Sequence, residues 1–186
     1  MSNQRVASRY AKSIMELSLE KGRLEEVHTD FLRLTALAAS NRELALVLKN
    51  PVINSDKKLN VLKALFAKGA EPLTMTFFVI VSGKNREEIL LDVAKEFENQ
   101  YNLHKSIQVA EVTTTFPIDD MLRKEFSEVV KEISGKKTVQ LVEKINPDLI
   151  GGYILKVNDR QLDESLSSKL RQLKTQFTQN HYESKI

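Results

Sequence analysis

The chain has 186 residues, with 41% hydrophobic and 28% charged side chains, so it can build a core and is not a disordered polymer. Lys and Arg number 28 against 25 Asp and Glu, a net charge of +3; near such balance a small Lys excess carries the pI to about 9.0, which overstates the basicity. Cysteine is absent, which excludes disulfides, thiolate metal sites, iron–sulfur clusters and a Cys nucleophile.

The first hundred residues read as helix. Residues Met1 to Arg9 are polar and lack the apolar run of a secretory signal. Val6, Ala7, Tyr10, Ala11, Ile14 and Leu17 then recur at spacings of three and four, on one side of a first helix that Gly22 ends. Leu24, Val27, Phe31, Leu34 and Ala38 mark a second helix, with His28 placed at its surface. A short third helix, Glu43 to Lys49, stops before Pro51. Ser55 is expected to cap a fourth, carrying Leu59, Leu62 and Phe66 and ending near Gly69. Pro72 opens a fifth, Leu73 to Ser82, apolar nearly all round and so expected in the middle of a bundle. This is the longest strongly apolar stretch, and it is far short of the ~20 residues a membrane span needs. Asn85 is expected to cap a sixth helix, with Glu87 and Glu88 complementing its dipole and Leu90, Val93, Ala94, Phe97 and Tyr101 forming its stripe.

After His104 the period shifts from 3.6 towards 2. Ile107, Val109 and, after a break at Glu111, Val112 and three threonines read as a strand ended by Pro117. Ile118 to Ser134 is an amphipathic helix with Leu122, Phe126, Val129 and Ile133 on one face and Gly135 as its stop. Val139, Leu141 and Val142 give a second strand closed by Asn146-Pro147, and Tyr153, Leu155 and Val157 a third. Asn158-Asp159 turns into a short fourth strand at Gln161-Leu162. Asp163 is expected to cap a last helix with Leu166, Leu170, Leu173 and Phe177 on one face, and the polar tail from Gln179 to fray. The fold class is therefore α+β, a six-helix bundle over 1–104 followed by a small α/β domain over 105–186 with a short sheet and two helices. The first part carries 15 basic and 13 acidic residues and the second 13 and 12, so neither is a charged arm.

Catalytic chemistry finds no foothold. Gly83-Lys84 and Gly135-Lys136 resemble the end of a P-loop, but Phe78 and Val130 stand where its first Gly belongs, and Asn85 and Lys137 replace its Ser or Thr. Both pairs also follow helices, whereas the motif follows a strand. Asp119-Asp120 and Asp163-Glu164 sit at helix starts, where capping explains them. His28, His104 and His181 are far apart and form no ligand motif. The Lys57-Lys58, Arg123-Lys124 and Lys136-Lys137 pairs read as solvated faces; no aromatic RNP-type strand or Arg-rich segment accompanies them, so a free-standing basic nucleic-acid module is only the second reading. No enzyme activity, metal or cofactor is expected.

Four segments in fixed order carry a more specific signal: RVASRYAKSIMELSLEKGRLEEV, LKNPVINSDKKLNVL, GKNREEILLDVAKEFENQYN and NPDLIGGYILKVNDRQLDESLSSKLRQL. The last holds the pattern iGG-x-x-x-x-v-x-D-x-x-x-D-x-S from Ile150 to Ser165. Together, over residues 4 to 178, they resemble the delta subunit of F-type ATP synthases, relative of the mitochondrial oligomycin-sensitivity-conferring protein. The resemblance implies a non-catalytic stator subunit at the top of the peripheral stalk, joining the catalytic head to the membrane-anchored stalk of a proton-driven synthase. It implies that the helical domain takes up the N-terminal amphipathic helix of an alpha subunit between its first and fifth helices. The matching positions are Ala7, Tyr10, Ala11 and Ile14 with Phe77, Phe78 and Val81. It implies that the C-terminal domain meets the C-terminal end of a b-type stalk subunit. Gly151 and Gly152 are expected to be structural, as permissive backbone at a strand start. With no transit peptide before the match, the expected setting is peripheral, at the cytoplasmic face of a bacterial inner membrane, although a mature organellar chain would look similar.

Overall fold

The computed structural model describes residues 3–67 and 69–178, which divide into two compact units at the junction of His104 and Lys105. The first unit holds α1 (Asn3–Glu20), α2 (Leu24–Ser40), α3 (Arg42–Lys49), α4 (Ser55–Phe66), α5 (Pro72–Gly83) and α6 (Leu90–His104). The second holds β1 (Ile107–Thr114), α7 (Asp120–Ser134), β2 (Thr138–Ile145), β3 (Tyr153–Val157), β4 (Arg160–Asp163) and α8 (Leu166–Thr178). This is the α+β arrangement expected. The tail from Gln179 lies outside the described residues.

Phenylalanines organise the first unit. Phe31 of α2 stacks on Phe97 of α6 at 4.7 Å and meets Phe77 of α5 edge-on at 5.9 Å, while Phe66 of α4 meets Phe78 at 5.3 Å. Offset and edge-on rings add to what their buried area contributes. Polar ties set the ends of α5. Asp30, buried on α2, accepts from the backbone amide of Glu71 at 2.9 Å, an orphan donor at the helix start.

Several details of the first unit differ from the sequence reading, each for a local reason. Asn85 does not cap the sixth helix: its φ of 54° ends α5, and the chain enters α6 through a 3-10 turn over Glu87–Ile89. Ser55 is the first residue of α4 and not its cap; its hydroxyl donates to Asn85 Oδ1 at 2.7 Å. Lys58 is not solvated. It lies on the same buried stripe as Leu62 and Phe66, donates to the Leu48 carbonyl at 3.1 Å and faces Glu87 at 3.7 Å. His28 is half-buried and stacks on Tyr101 at 3.7 Å. Tyr101 in turn donates to Glu25 at 2.7 Å, and burial together with that carboxylate pushes its pKa up to about 12.

The sheet of the second unit has the order β2-β1-β3-β4, with β1 parallel to β2 and antiparallel to β3. The parallel pair needs a crossover, and α7 supplies it. One face carries Ala110, Val112, Leu155 and Val157 against Phe126 and Val130 of α7, with Ile118 closing the cluster. β1 runs through Glu111 without a break, because Glu111 points to the opposite face and pairs with Lys144 of β2 at 2.8 Å. Asp119 precedes α7 but makes no capping bond, and Asp120 instead pairs with Arg123 at 2.7 Å. Gly135 at φ 68° stops that helix as expected. The cap of α8 is Ser165, whose Oγ accepts from the Ser168 amide at 3.2 Å; Asp163 supports it by accepting from Ser165 N and Ser168 Oγ.

Candidate functional site

The first unit leaves a trough of about 410 Å³ between α1 and α5. From α1 it is lined by Tyr10, Ser13, Ile14, Leu17 and Lys21, which share a single face as i, i+3, i+4, i+7 and i+11. From α5 come Leu73, Thr76, Phe77, Ile80 and Lys84, with Glu71 and Pro72 at the helix start. The two helices run antiparallel. Arg86, just beyond the end of α5, reaches Tyr10 in the first half of α1, with Nη1 3.3 Å from the hydroxyl and the guanidinium 5.9 Å from the ring centroid. At the other end Arg23, just beyond α1, is held above its usual pKa by the hydrogen bond and charge of Glu26 and, more weakly, by the charge of Glu71.

Depth sorts the lining. Ile14 and Phe77 form the floor, almost closed to solvent. Tyr10 stands half-buried as a wall, its ring edge-on to Phe77 at 6.2 Å. Leu17 and Ile80 form the open lip, 40% and 50% exposed. So α5 is not enclosed on all sides as its apolarity suggests. Phe78 and Val81 face inward, while Val79 and Ile80 face out.

Of the seven positions matched on the sequence, Tyr10, Ile14 and Phe77 line the trough. Ala7, Ala11, Phe78 and Val81 are closed inside the bundle, at 1% exposure or less, and have no surface to present. The small alanines do another job: they let neighbouring helices come close to α1. Leu17 and Ile80 were missing from the matched set. Their signal was in the spacing, since Leu17 stands seven residues after Tyr10 and Ile80 three after Phe77.

In the second unit the glycine pair separates into two different constraints. Gly152 has φ +77°, and a Cβ there would fall on the Glu164 carbonyl and within 3.1 Å of Ser165 Cα. Gly151 has an ordinary backbone, and its Cβ would meet only the tip of Leu166, at 2.7 Å. This close approach lets Gly151 O accept from Leu166 N at 3.0 Å and fixes the start of α8. Beyond that start, Leu166, Leu170, Leu173 and Phe177 lie along one face of α8, and no residue of the helix is buried.

Among the described residues no group of three or more His, Asp or Glu side chains is placed to hold a metal, and no helix is long and apolar enough to cross a membrane. The two GK pairs lie at helix ends. Gly83 closes α5 and Gly135 follows α7, so neither opens a phosphate cradle.

Comparison with known proteins agrees over nearly the full chain. The family described as ATP synthase delta (OSCP) subunit matches residues 6–177. ATP synthase subunit delta of Cytophaga hutchinsonii is 37% identical over 179 residues, covering 96% of this chain and 97% of the relative. That of Christiangramia forsetii is 34% identical over the whole of both chains. A chain of the Toxoplasma gondii mitochondrial ATP synthase hexamer, solved by cryo-electron microscopy, shares the fold with a TM-score of 0.72 at 21% identity, covering 92% of this chain and 97% of that one. Nothing among these matches supports a free-standing nucleic-acid module. The chain belongs to the ATP synthase delta (OSCP) family, the non-catalytic stator subunits of the peripheral stalk.

Proposed function

We propose that the chain is a two-ended adaptor. Its first unit holds the N-terminal amphipathic helix of an ATP synthase alpha subunit in the α1–α5 trough, and its second unit holds the C-terminal end of a b-type stalk subunit. The complex it serves stands at the cytoplasmic face of a bacterial inner membrane, a reading supported by the bacterial relatives. The observation that carries the first half is the trough itself. It offers an apolar floor, an aromatic wall and two exposed aliphatic lips along three turns of helix, which suits the i, i+3, i+4, i+7 anchors of an amphipathic helix. The second half is supported by α8, whose four large apolar side chains face solvent in a row, more apolar surface than a helix of a lone domain ordinarily exposes. A stator needs no chemistry of its own. It needs two separate grips that do not slip under the torque of the rotor.

Titrating the full chain with a synthetic peptide copying the alpha-subunit N-terminus tests the trough. Ile80→Asp is the informative variant, because Ile80 is half-exposed and its loss leaves the core intact. On docking the carboxylate would lose water without gaining a partner, so affinity is expected to fall by about 3 kcal/mol, more than a hundredfold. The melting temperature should stay at the parent value. A folded Ile80→Asp chain that binds the peptide like the parent would place the helix elsewhere. Tyr10→Ala is less clean, because Tyr10 also anchors Arg86 and Phe77.

A further inference from the structure

The two ends of the trough differ in charge. Where α5 finishes, Lys84 lines the trough and Arg86 lies over Tyr10. Both cations are exposed, and neither has an ion pair among the described residues. Where α5 starts, Lys21 lines the trough beside Glu71, and Arg23 is taken up by Glu26 at 2.9 Å. One end is thus doubly positive and the other close to neutral. The helix dipoles do not alter this. Because α1 and α5 run antiparallel, a positive helix terminus lies beside a negative one at each end, and the side chains set the field.

We infer that the trough accepts an amphipathic helix in one direction, with acidic side chains of its first turn against Lys84 and Arg86 and a neutral or basic residue of its last contacting turn against Glu71. This rests on the trough being a helix site. The direction follows from the occupant's own physics: a helix with acidic residues at its N-terminus and basic ones at its C-terminus complements its dipole and is the better formed. Such a helix runs parallel to α1. The eleven helical steps from Tyr10 to Lys21 span about 16 Å at 1.5 Å per residue. Acid and base on the occupant therefore stand about eleven residues apart, which returns to the same helix face after three turns.

Two designed peptides of about 18 residues, long enough for partial helix, test this. They share one apolar stripe; one carries Glu in its first turn and Lys eleven residues on, and the other has these charges exchanged. Both are titrated into the full chain and into Lys84→Glu, at salt of about 0.05 M and 0.5 M. The acid-first peptide is expected to bind the parent about tenfold more tightly at low salt, with the gap shrinking at high salt. Lys84→Glu should abolish or reverse the preference; since the peptides are unchanged, their own helicity cannot produce that effect. Equal affinities for the parent, or a preference that Lys84→Glu leaves untouched, overturn the direction and leave the trough as a helix site. Failure of both peptides to bind overturns both.

Discussion

Lys58→Ala should lower the stability of the first unit by about 3–5 kcal/mol, the range for removing one partner of a buried ion pair. Lys58 and Glu87 are 4% and 2% exposed, and they tie α4 to the turn between α5 and α6. Ser82 Oγ donates to Glu87 at 2.9 Å. Burial is the largest influence on the Glu87 carboxyl and pushes its pKa up. The Ser55 hydroxyl close by, hydrogen bonds from the Ser82 hydroxyl and from its own backbone amide, and the Lys58 charge outweigh it and hold the group below its usual range. A depressed carboxyl contributes stability that is complete above its unfolded pKa and fades as the pH falls through the lower folded value. The first unit should therefore lose this contribution below about pH 4.5, the ordinary glutamate value. Without Lys58 the carboxylate keeps the Ser82 hydroxyl but not its countercharge. The paired replacement Lys58→Met with Glu87→Leu should recover most of the loss, because the buried charge goes with its partner. Denaturant unfolding followed by a probe in the first unit decides it. A Lys58→Ala chain as stable as the parent would mean that water reaches Glu87.

Gly152→Ala should destabilise the second unit by about 3 kcal/mol, combining a side chain at positive φ with a clash against backbone. The carbonyl it would strike cannot withdraw cheaply, since Glu164 N donates to Tyr153 O at 3.0 Å and Leu166 N to Gly151 O at 3.0 Å. Gly151→Ala should cost less than about 1 kcal/mol, because Leu166 is half-exposed and its tip can turn aside. The first unit should be untouched by either change. Hydrogen exchange resolved by unit measures all three statements, and equal costs at the two glycines would contradict the second.

The glycine pair also shows where sequence reasoning reached its limit. Both residues were legible as constrained, but the pattern treats them alike. Only the approach of the Glu164 backbone, twelve residues later in the chain, separates them. Helix existence was legible throughout, because stripes such as Val27, Phe31 and Leu34 need nothing beyond local spacing. Caps were less so. Asn85 and Asp163 are good capping residues beside true helix starts, yet Asn85 is spent on a left-handed turn and Asp163 braces the actual cap, Ser165. Lys58 was read as solvated because its partner lies 29 positions away, a separation that periodicity does not see. The trough was half legible. An apolar stripe announces that a helix buries a face, but Ala11 and Leu17 belong to one stripe, and only packing against α6 and α2 decides that the first is closed and the second open. Lys21 and Lys84 carried no apolar signal, and their place at the two ends of the trough follows from the antiparallel course of α1 and α5.

The central claim is that the two units grip two different partners at once. Its most direct measurement is sedimentation of the full chain with the alpha-subunit N-terminal peptide and a soluble fragment carrying the C-terminal end of the b-type subunit. The account predicts a ternary species with one copy of each, in which saturating one partner leaves the affinity for the other unchanged. Ile80→Asp should release only the peptide, and Leu170→Asp on the open face of α8 only the stalk fragment. Two partners that exclude one another, or a stalk fragment that holds as well to Leu170→Asp as to the parent, would contradict it.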